Sequence, residues 1–405
     1  MNKAALAALA TVMVFATGCS GTGSSGGSDR YTIGIIAPTQ GATGEIGQNI
    51  LDGVKIAVDE VNASGGVADG HKLSVVSKDE GTSPQKATQA ARDLTSSGVN
   101  LLGGLFSSAD CGGVAPVIEQ SPAVLITASC ASNTLTGAFS GKAPFKRTFG
   151  VAVRDRSNAQ ALASVLAKKF PKVTDFSVFG YDYNWGHETW QVLEDSLTAD
   201  GVRVNKGEAQ WIPLNSSDFR SQVSAISRGL GSNRQRQGVF LATFGAGTAG
   251  FLQQAKAFDL PSNVALIANA GEYYNVARSL KGRAPSVWNA YDYNWAAFDT
   301  KANDKFVQDY AKLRDGAHPV GWTYQGYLIG LAYAAAIDKA GSADADKVLD
   351  ALKGITFDAP SGSLTMGADS HQLDVPVVIS HTAGSPDEPD GVKVLETDVV
   401  RYGGK

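Results

Sequence analysis

Short runs of apolar β-forming residues alternate along the chain with longer stretches in which apolar residues recur every three or four positions. Tyr31–Ala37 is the first such run, and Ile46–Val61 carries the helical spacing up to Gly65–Gly66. A nearly continuous apolar run predicts a strand buried on both faces of a parallel sheet, whereas the three-to-four spacing predicts an amphipathic helix. Ser83 and Pro84 suit the N-cap and first turn of the next helix. The pattern predicts an α/β fold with parallel strands and right-handed crossovers.

The alternation begins again after a predicted strand at Thr148–Val151. Further strands are predicted at Phe176–Phe179, Val202–Val204, Val239–Phe244 and Val264–Ala268, with helices between them. Beyond residue 30 the chain has roughly 375 residues, which is more than one hydrophobic core usually supports. The sequence therefore predicts two lobes, each with its own parallel sheet.

The amino terminus resembles a bacterial lipoprotein signal peptide. Lys3 precedes an apolar stretch that is too short to span a bilayer, and small residues lead from Ala16 into Cys19. This predicts that residues 1–19 are a signal peptide and that Cys19 is acylated, although Ala16 stands where leucine is usual. Residues 20–30 are rich in glycine and serine, which predicts a flexible linker. The folded part is thus expected outside the cytoplasm, held to the membrane by a lipid alone.

Charge and histidine spacing narrow the set of partners. The net charge is −4, and no Lys/Arg cluster is denser than Lys168–Lys169, which argues against a nucleic-acid partner. The five histidines are scattered, so no metal site is predicted. Cys111 and Cys130 are the cysteines that follow Cys19, and outside the cytoplasm such a pair predicts a disulfide. Closing a loop of that length stabilises a fold by roughly 3 kcal/mol.

One motif raises the alternative of a cofactor-dependent enzyme. Gly245–Gly250 has the G-x-G-x-x-G spacing of a dinucleotide-binding turn, between a predicted strand and a predicted helix. The fingerprint also needs an acid near the end of the next strand, and Glu272 is the only one nearby. Glycines of a tight turn are the simpler interpretation, so no cofactor is predicted. Because other catalytic motifs are also missing, no enzymatic activity is predicted.

Two sets of polar and aromatic residues follow predicted strands and are candidates for a ligand cleft. Ser107 and Ser108 lie between a strand and a helix, where hydroxyls and backbone N–H groups bind carboxylates, although plain helix capping is an alternative. The pentapeptide Tyr-Asp-Tyr-Asn-Trp occurs at Tyr181–Trp185 and again at Tyr291–Trp295. Both copies are candidates to line one cleft, with ordinary aromatic packing as the alternative.

From residue 31 nearly to its end the chain resembles the type I periplasmic binding proteins, specifically the branched-chain amino acid receptors of ABC transporters. The resemblance rests on similar residues at several separate places in the chain: Ile33–Gly41, Val58–Gly66, Asp182–Gly186, Ser217–Phe219, Phe251–Ala255, Gly362–Thr365 and Asp369–Leu373. It implies two Rossmann-like lobes joined by three hinge crossings, with residues 31–149 and 290–361 in lobe 1 and residues 150–289 and 362–405 in lobe 2. It also implies a monomer that closes on a small solute and then docks on permease subunits.

The resemblance implies roles for individual residues. The serine pair that matches Ser107 and Ser108 holds an amino acid carboxylate in the family, and the loop that matches Ser129–Ser132 holds the ammonium together with an acid whose nearest match is Glu272. This chain departs from the pattern at Ala131, Phe244 and Ile46, where a threonine and two tyrosines are usual. We therefore expect a ligand site built from residues that match or replace the family's: Ile46, Ser107, Ser108, Ser129, Ala131, Ser132, Tyr183, Trp185, Phe244, Glu272 and Tyr291.

Because of these departures, the sequence does not identify the ligand. A buried ammonium needs acceptors, which Ala131 and Phe244 do not supply. Trp185, Tyr183, Phe244 and Tyr291 favour a flat or apolar body. The candidates are a branched-chain amino acid-like solute and an aromatic or other non-zwitterionic carboxylate or amide. A surface-structural lipoprotein, which would have no cavity between its lobes, is a third alternative.

Overall fold

The computed structural model describes residues 30–401 except residues 82, 133, 134, 136–143 and 215. The predicted signal peptide, Cys19 and nearly all of the predicted linker lie outside the described residues, so these three assignments stay predictions. No helix in the described part of the chain is both long enough and apolar enough to cross a membrane.

The first half of the described chain forms a five-stranded parallel sheet with helices between the strands. Its strands are β1 (Arg30–Ala37), β2 (Lys72–Asp79), β3 (Leu101–Gly104), β4 (Val124–Thr127) and β5 (Thr148–Gly150), in the order β2-β1-β3-β4-β5. The helices are α1 (Gly44–Ala63), α2 (Pro84–Ser96) and α3 (Ser108–Ile118). As predicted, Ser83 caps α2, because its side chain accepts a hydrogen bond from the Lys86 N–H.

The second sheet has seven strands, of which two join from the end of the chain. Its strands are β6 (Asp175–Tyr181), β7 (Asn205–Ile212), β8 (Gln237–Ala242), β9 (Leu266–Asn269), β10 (Val287–Tyr291), β13 (Val377–Gly384) and β14 (Val392–Val400), in the order β14-β13-β10-β9-β8-β6-β7. Strands β6 to β10 are parallel, and β13 and β14 are antiparallel. The helices are α4 (Asp155–Lys169), α5 (Asn184–Ala199), α6 (Arg220–Gly229), α7 (Gly245–Lys256) and α8 (Tyr274–Ser279).

Between β10 and β13 the chain returns to the first sheet. It forms α9 (Lys301–Leu313), α10 (Gly321–Ala340), α11 (Ala345–Leu352) and the hairpin β11 (Thr356–Ala359) and β12 (Gly362–Thr365). Helix α10 packs closely on α1, where Gly53 and Gly326 let the two backbones approach. The architecture is the predicted one, two α/β lobes with parallel sheets. The residue boundaries of the lobes stay a prediction.

The sequence placed one strand wrongly. The segment Val202–Val204 is not a strand, because the Val202 N–H bonds to the carbonyl of Leu197 and thereby completes the end of α5. Strand β7 begins only at Asn205, and half of its residues are exposed at the sheet edge. An edge strand with polar side chains has no apolar run, and the pattern therefore gave no signal for it.

Candidate functional site

A cavity of about 330 Å³ lies where the carboxyl ends of strands from both sheets face each other. The first lobe contributes residues that follow β3 and β4, among them Phe106 and Ser129. The second lobe contributes residues that follow β6, β8 and β9, among them Trp185, Phe244 and Glu272. In α/β sheets this edge is where ligands bind. A surface-structural protein without such a cavity is therefore a poorer description of the chain.

The structure brings nine of the eleven predicted site residues to this cavity: Ser107, Ser108, Ser129, Ala131, Tyr183, Trp185, Phe244, Glu272 and Tyr291. The other two are not among the lining residues. Ile46 faces inward from α1 and is 4% exposed within the hydrophobic core. Ser132 lies behind the lining, where its N–H donates to Ser108 Oγ at 3.3 Å.

The loop that was predicted to bind a carboxylate already holds one. Ser107 is the N-cap of α3, and its Oγ accepts hydrogen bonds from the N–H groups of Ala109 at 3.2 Å and Asp110 at 3.5 Å. The N–H groups of Phe106 and Ser107 donate to the Glu80 carboxylate at 2.9 and 3.2 Å. Glu80 directly follows β2 and was not among the predicted site residues.

Glu80 and Asp110 form a pair of carboxyl groups beside the cavity. Burial raises the pKa of Glu80 well above its usual value, and the side-chain hydrogen bond with Asp110 adds to that rise. Burial also raises the pKa of Asp110. Two adjacent carboxyl groups cannot both ionise easily, so the pair shares a proton. In the described part of the chain no group of three or more Asp, Glu, His or Cys side chains is placed to hold a metal ion.

Aromatic side chains form a continuous series around the cavity. Consecutive ring centroids are 5.4 to 6.4 Å apart, as the following pairs show: Tyr183–Trp185 at 6.0 Å, Trp185–Phe244 at 5.5 Å, Phe244–Phe106 at 5.4 Å, Phe106–Trp322 at 6.4 Å and Trp322–Tyr291 at 6.4 Å. Such distances are those of favourable aromatic pairs. Phe106 and Trp322 were not predicted, although Phe106 directly precedes the predicted serine pair.

Asp155 is the first residue of α4 and lines the cavity. Its Oδ1 accepts a hydrogen bond from Trp185 Nε1 at 2.7 Å, whereas its second oxygen has no protein partner among the described residues. Burial raises the pKa of Asp155 to about 7, although the Trp185 hydrogen bond and the Arg154 charge oppose the rise. Asp155 was not predicted from the sequence, because an acid in the first turn of a helix is common.

Glu272 is held differently from Asp155. Its Oε1 accepts from the Tyr274 N–H and its Oε2 from the Gly321 N–H, both at 2.9 Å, so both oxygens have backbone partners. Burial raises the pKa of Glu272 to about 7. Ser129 Oγ lies 3.3 Å from the Tyr291 hydroxyl, and this contact joins a residue that follows β4 of the first sheet to the last residue of β10 in the second sheet.

The glycine turn has structural reasons for its glycines. Gly245 has a φ of +55°, which favours glycine, and a Cβ atom on Gly247 would lie 2.0 Å from the Tyr181 hydroxyl oxygen. A Cβ atom on Gly250 would lie 2.9 Å from the ring of Phe219. The close packing of α7 on its neighbours therefore accounts for the G-x-G-x-x-G spacing without a dinucleotide.

Cys111 and Cys130 lie side by side beneath the first-lobe edge of the cleft. Their Cα atoms are 6.3 Å apart, which is within the range of disulfides, and both residues are fully buried. We predict that alkylation and mass spectrometry of the secreted protein will detect the Cys111–Cys130 disulfide. Replacing both cysteines with alanine should lower the free energy of unfolding by roughly 3 kcal/mol. Free thiols at both positions in protein from an oxidising compartment would contradict the prediction.

Two α/β lobes that close on a cavity at the strand ends define a class of solute receptors. The model of the family described as "Periplasmic binding protein" matches residues 30–384, and the chain belongs to this family. A Leu/Ile/Val-binding protein of Rhizobium johnstonii is 26% identical over 83% of this chain and 87% of that protein. A leucine-, isoleucine-, valine-, threonine- and alanine-binding protein of Pseudomonas aeruginosa is 22% identical over 83% of this chain and 86% of that protein.

Solved structures share the fold. An amino acid ABC transporter substrate-binding protein of Pseudomonas fluorescens has a TM-score of 0.79 at 18% identity, over 92% of this chain and 97% of that one. A solute-binding protein of an ABC transporter of Rhodopseudomonas palustris, in complex with 3,4-dihydroxybenzoic acid, has a TM-score of 0.77 at 18% identity. The match covers 92% of this chain and 98% of that one. The predicted family and fold class are confirmed.

Proposed function

We propose that this protein is the extracytoplasmic receptor of an ABC importer and that it captures a small organic solute between its lobes. The observation that supports this proposal best is the cavity at the strand ends, because both lobes line it and neither lobe alone encloses it. Its volume of about 330 Å³ suits a solute the size of a branched-chain amino acid. The signal peptide and acylated Cys19 belong to the same proposal, since they would keep a monomeric receptor beside its permease.

Hinge closure is the proposed mechanism. Phe106 follows β3 of the first sheet and meets Phe244, which follows β8 of the second sheet, edge to face, and the hydroxyls of Ser129 and Tyr291 make a second contact between the two sheets. A ligand that adds contacts only this closed arrangement can make shifts the equilibrium towards it. The permease then recognises the closed form and accepts the solute.

Two kinds of apolar body fit the proposal. A branched aliphatic body is the leading candidate on the evidence of relatives that bind leucine, isoleucine and valine. The series of aromatic side chains favours a flat ring as the second candidate, and the Rhodopseudomonas palustris protein with a dihydroxybenzoic acid bound has the same fold. A thermal-shift panel of leucine, valine, phenylalanine, benzoate and benzamide tests both candidates.

We predict that Phe244→Ala weakens binding of the best ligand of this panel at least tenfold, which corresponds to about 1.4 kcal/mol. The ring contacts Phe106, Trp185 and Tyr181, so its removal opens the wall of the cavity. Isothermal titration calorimetry measures the change. Leu214→Ala is the control, because Leu214 also lines the cavity but is 47% exposed at its rim. An equal loss in both variants would contradict the placement of the ligand in the aromatic cavity.

A further inference from the structure

We infer that the solute carries a positively charged amine and no carboxylate, and that Asp155 is the residue that binds the amine. The inference rests on the proposed function, because it concerns the polar end of the solute in the same cleft. It differs from the amino acid specificity that the resemblance implies, in which a serine pair holds a carboxylate.

The acidic and basic side chains that line the cavity are all carboxyl groups. Its described lining includes five carboxyl groups and neither a lysine, an arginine nor a histidine; the five are Glu80, Asp110, Asp155, Asp182 and Glu272. Asp182 is exposed at the rim, and the other four are buried. A ligand carboxylate would add a further negative charge where no cationic side chain faces it, and an unpaired buried charge costs several kcal/mol.

Four backbone donors at the start of α3 are also engaged. At the start of α3 the N–H groups of Phe106 and Ser107 donate to Glu80, and those of Ala109 and Asp110 donate to Ser107 Oγ. The carboxyl group of Glu80 thus already occupies the N-terminus of the helix. A ligand carboxylate at this position would have to compete with a buried side chain that is already in place.

Asp155 has the free acceptor that an amine needs. It is 6% exposed, it lines the cavity, and one of its oxygens has no protein partner among the described residues. Its neighbour Arg154 does not line the cavity, because that guanidinium binds the carbonyl oxygens of Cys130 and Ser132 and the side chain of Gln372. Glu272 is less suited to the role, since backbone N–H groups already bind both of its oxygens.

The aromatic side chains strengthen the assignment. Trp185 donates its indole N–H to Asp155 and belongs to the aromatic series, so a cation at Asp155 would lie beside this series of rings. Ring faces attract cations, and the attraction grows when water is excluded. The same rings would hold the apolar body of the solute. The combination of a half-bonded buried carboxylate and aromatic walls is suited to an organic amine.

A matched set of compounds tests the inference, because its members share an apolar body and differ only in charge. The aliphatic set is 3-methylbutylamine, leucine and 4-methylpentanoate, and the aromatic set is 2-phenylethylamine, phenylalanine and 3-phenylpropanoate. Titration calorimetry should show that in at least one set the amine binds ten times more tightly than both the amino acid and the carboxylate. Small-angle X-ray scattering with the same compounds measures closure of the lobes.

Asp155→Asn is the decisive variant, because asparagine keeps an oxygen for Trp185 while the group that faces the cavity becomes uncharged. We expect it to bind the preferred amine at least tenfold more weakly. Asp200→Asn is the matched control, since it removes one negative charge from an exposed residue that does not line the cavity, and it should change the affinity less than threefold. Circular dichroism of both variants shows whether each is folded.

The outcomes separate the inference from the proposed function. Tighter binding of the carboxylate or the amino acid, with closure of the lobes, would overturn the inference and leave the receptor intact. Equal losses in Asp155→Asn and Asp200→Asn would overturn the role of Asp155. Binding and closure with none of the six compounds would contradict both the inference and the proposed function.

Discussion

Gly326→Val is expected to lower the free energy of unfolding by about 3 kcal/mol. Gly326 lies where α10 crosses α1, and a Cβ atom on it would lie 2.0 Å from the carbonyl oxygen of Ile50. The obstacle is backbone rather than a flexible side chain, so the two helices must move apart. Gly53 on α1 approaches the backbone of α10 equally closely, because a Cβ atom on it would lie 1.9 Å from the carbonyl oxygen of Thr323. Urea denaturation of the ligand-free protein measures the change.

Gly112→Ala is the control for this prediction. Gly112 is an exposed residue of α3, and a Cβ atom on it would have no neighbour within 4 Å. Alanine favours the helix over glycine by about 1 kcal/mol, so this variant should be unchanged or slightly more stable. An unchanged stability of Gly326→Val would contradict the close crossing of α1 and α10.

The same crossing connects stability with the ligand site. Helix α10 begins at Gly321, whose N–H donates to Glu272, and continues with Trp322, which lines the cavity. Displacing α10 therefore moves one aromatic wall and one partner of a buried carboxylate. The glycines that fix the helix positions are distant from the ligand in sequence but determine where these groups stand.

The apolar pattern predicted most of the fold because buried parallel strands need continuous apolar runs. Strand β8 is entirely buried and β1 is buried from Ile33 to Ala37, and the apolar runs of both were found. The polar edge strand β7 and the hairpin of β11 and β12 were not found, since both have exposed residues at many positions. Exposed strands depend on pairing with a neighbour, which a local pattern does not record.

The sequence predicted only the part of the site that lies next to apolar strands. Residues that directly follow apolar strands, such as Ser107 and Phe244, could be placed at the cleft from the sequence. Asp155 and Trp322 begin helices and reach the cavity only because the chain crosses between the lobes. Glu80 meets the start of α3 from a different strand, so the occupation of that helix terminus by an internal carboxylate depends on tertiary structure.

The ligand-free protein is expected to lose stability as the pH rises from 5 to 8. Burial raises the pKa of Glu272 from 4.5 to about 7, and it raises the pKa of Asp155 and of Asp292 from 3.8 to about 7. At a pH between the ordinary pKa and the raised pKa of such a group, the folded state holds a proton that the unfolded state has released. The free energy of unfolding therefore falls as the pH rises through this range. For one group such as Glu272 the fall is roughly 3 kcal/mol. Urea denaturation at several pH values measures it.

Two histidines oppose the loss of stability with rising pH but do not reverse it. Partial burial lowers the pKa of His371 and His381, which adds stability as the pH rises towards 6.5. The buried carboxyls are more numerous and more deeply buried, so their effect is larger. Asp155→Asn should make the fall smaller, because it removes one of the titrating groups. Asp218→Asn should leave it unchanged, since the Arg220 hydrogen bond lowers the pKa of that exposed carboxyl to about 2.

Stability that rises steadily from pH 5 to 8 would contradict the assignment of these buried carboxyls as protonated in the ligand-free protein. A bound amine should then reduce the fall, because it favours the ionised form of Asp155 and so binds more tightly at pH 8 than at pH 6.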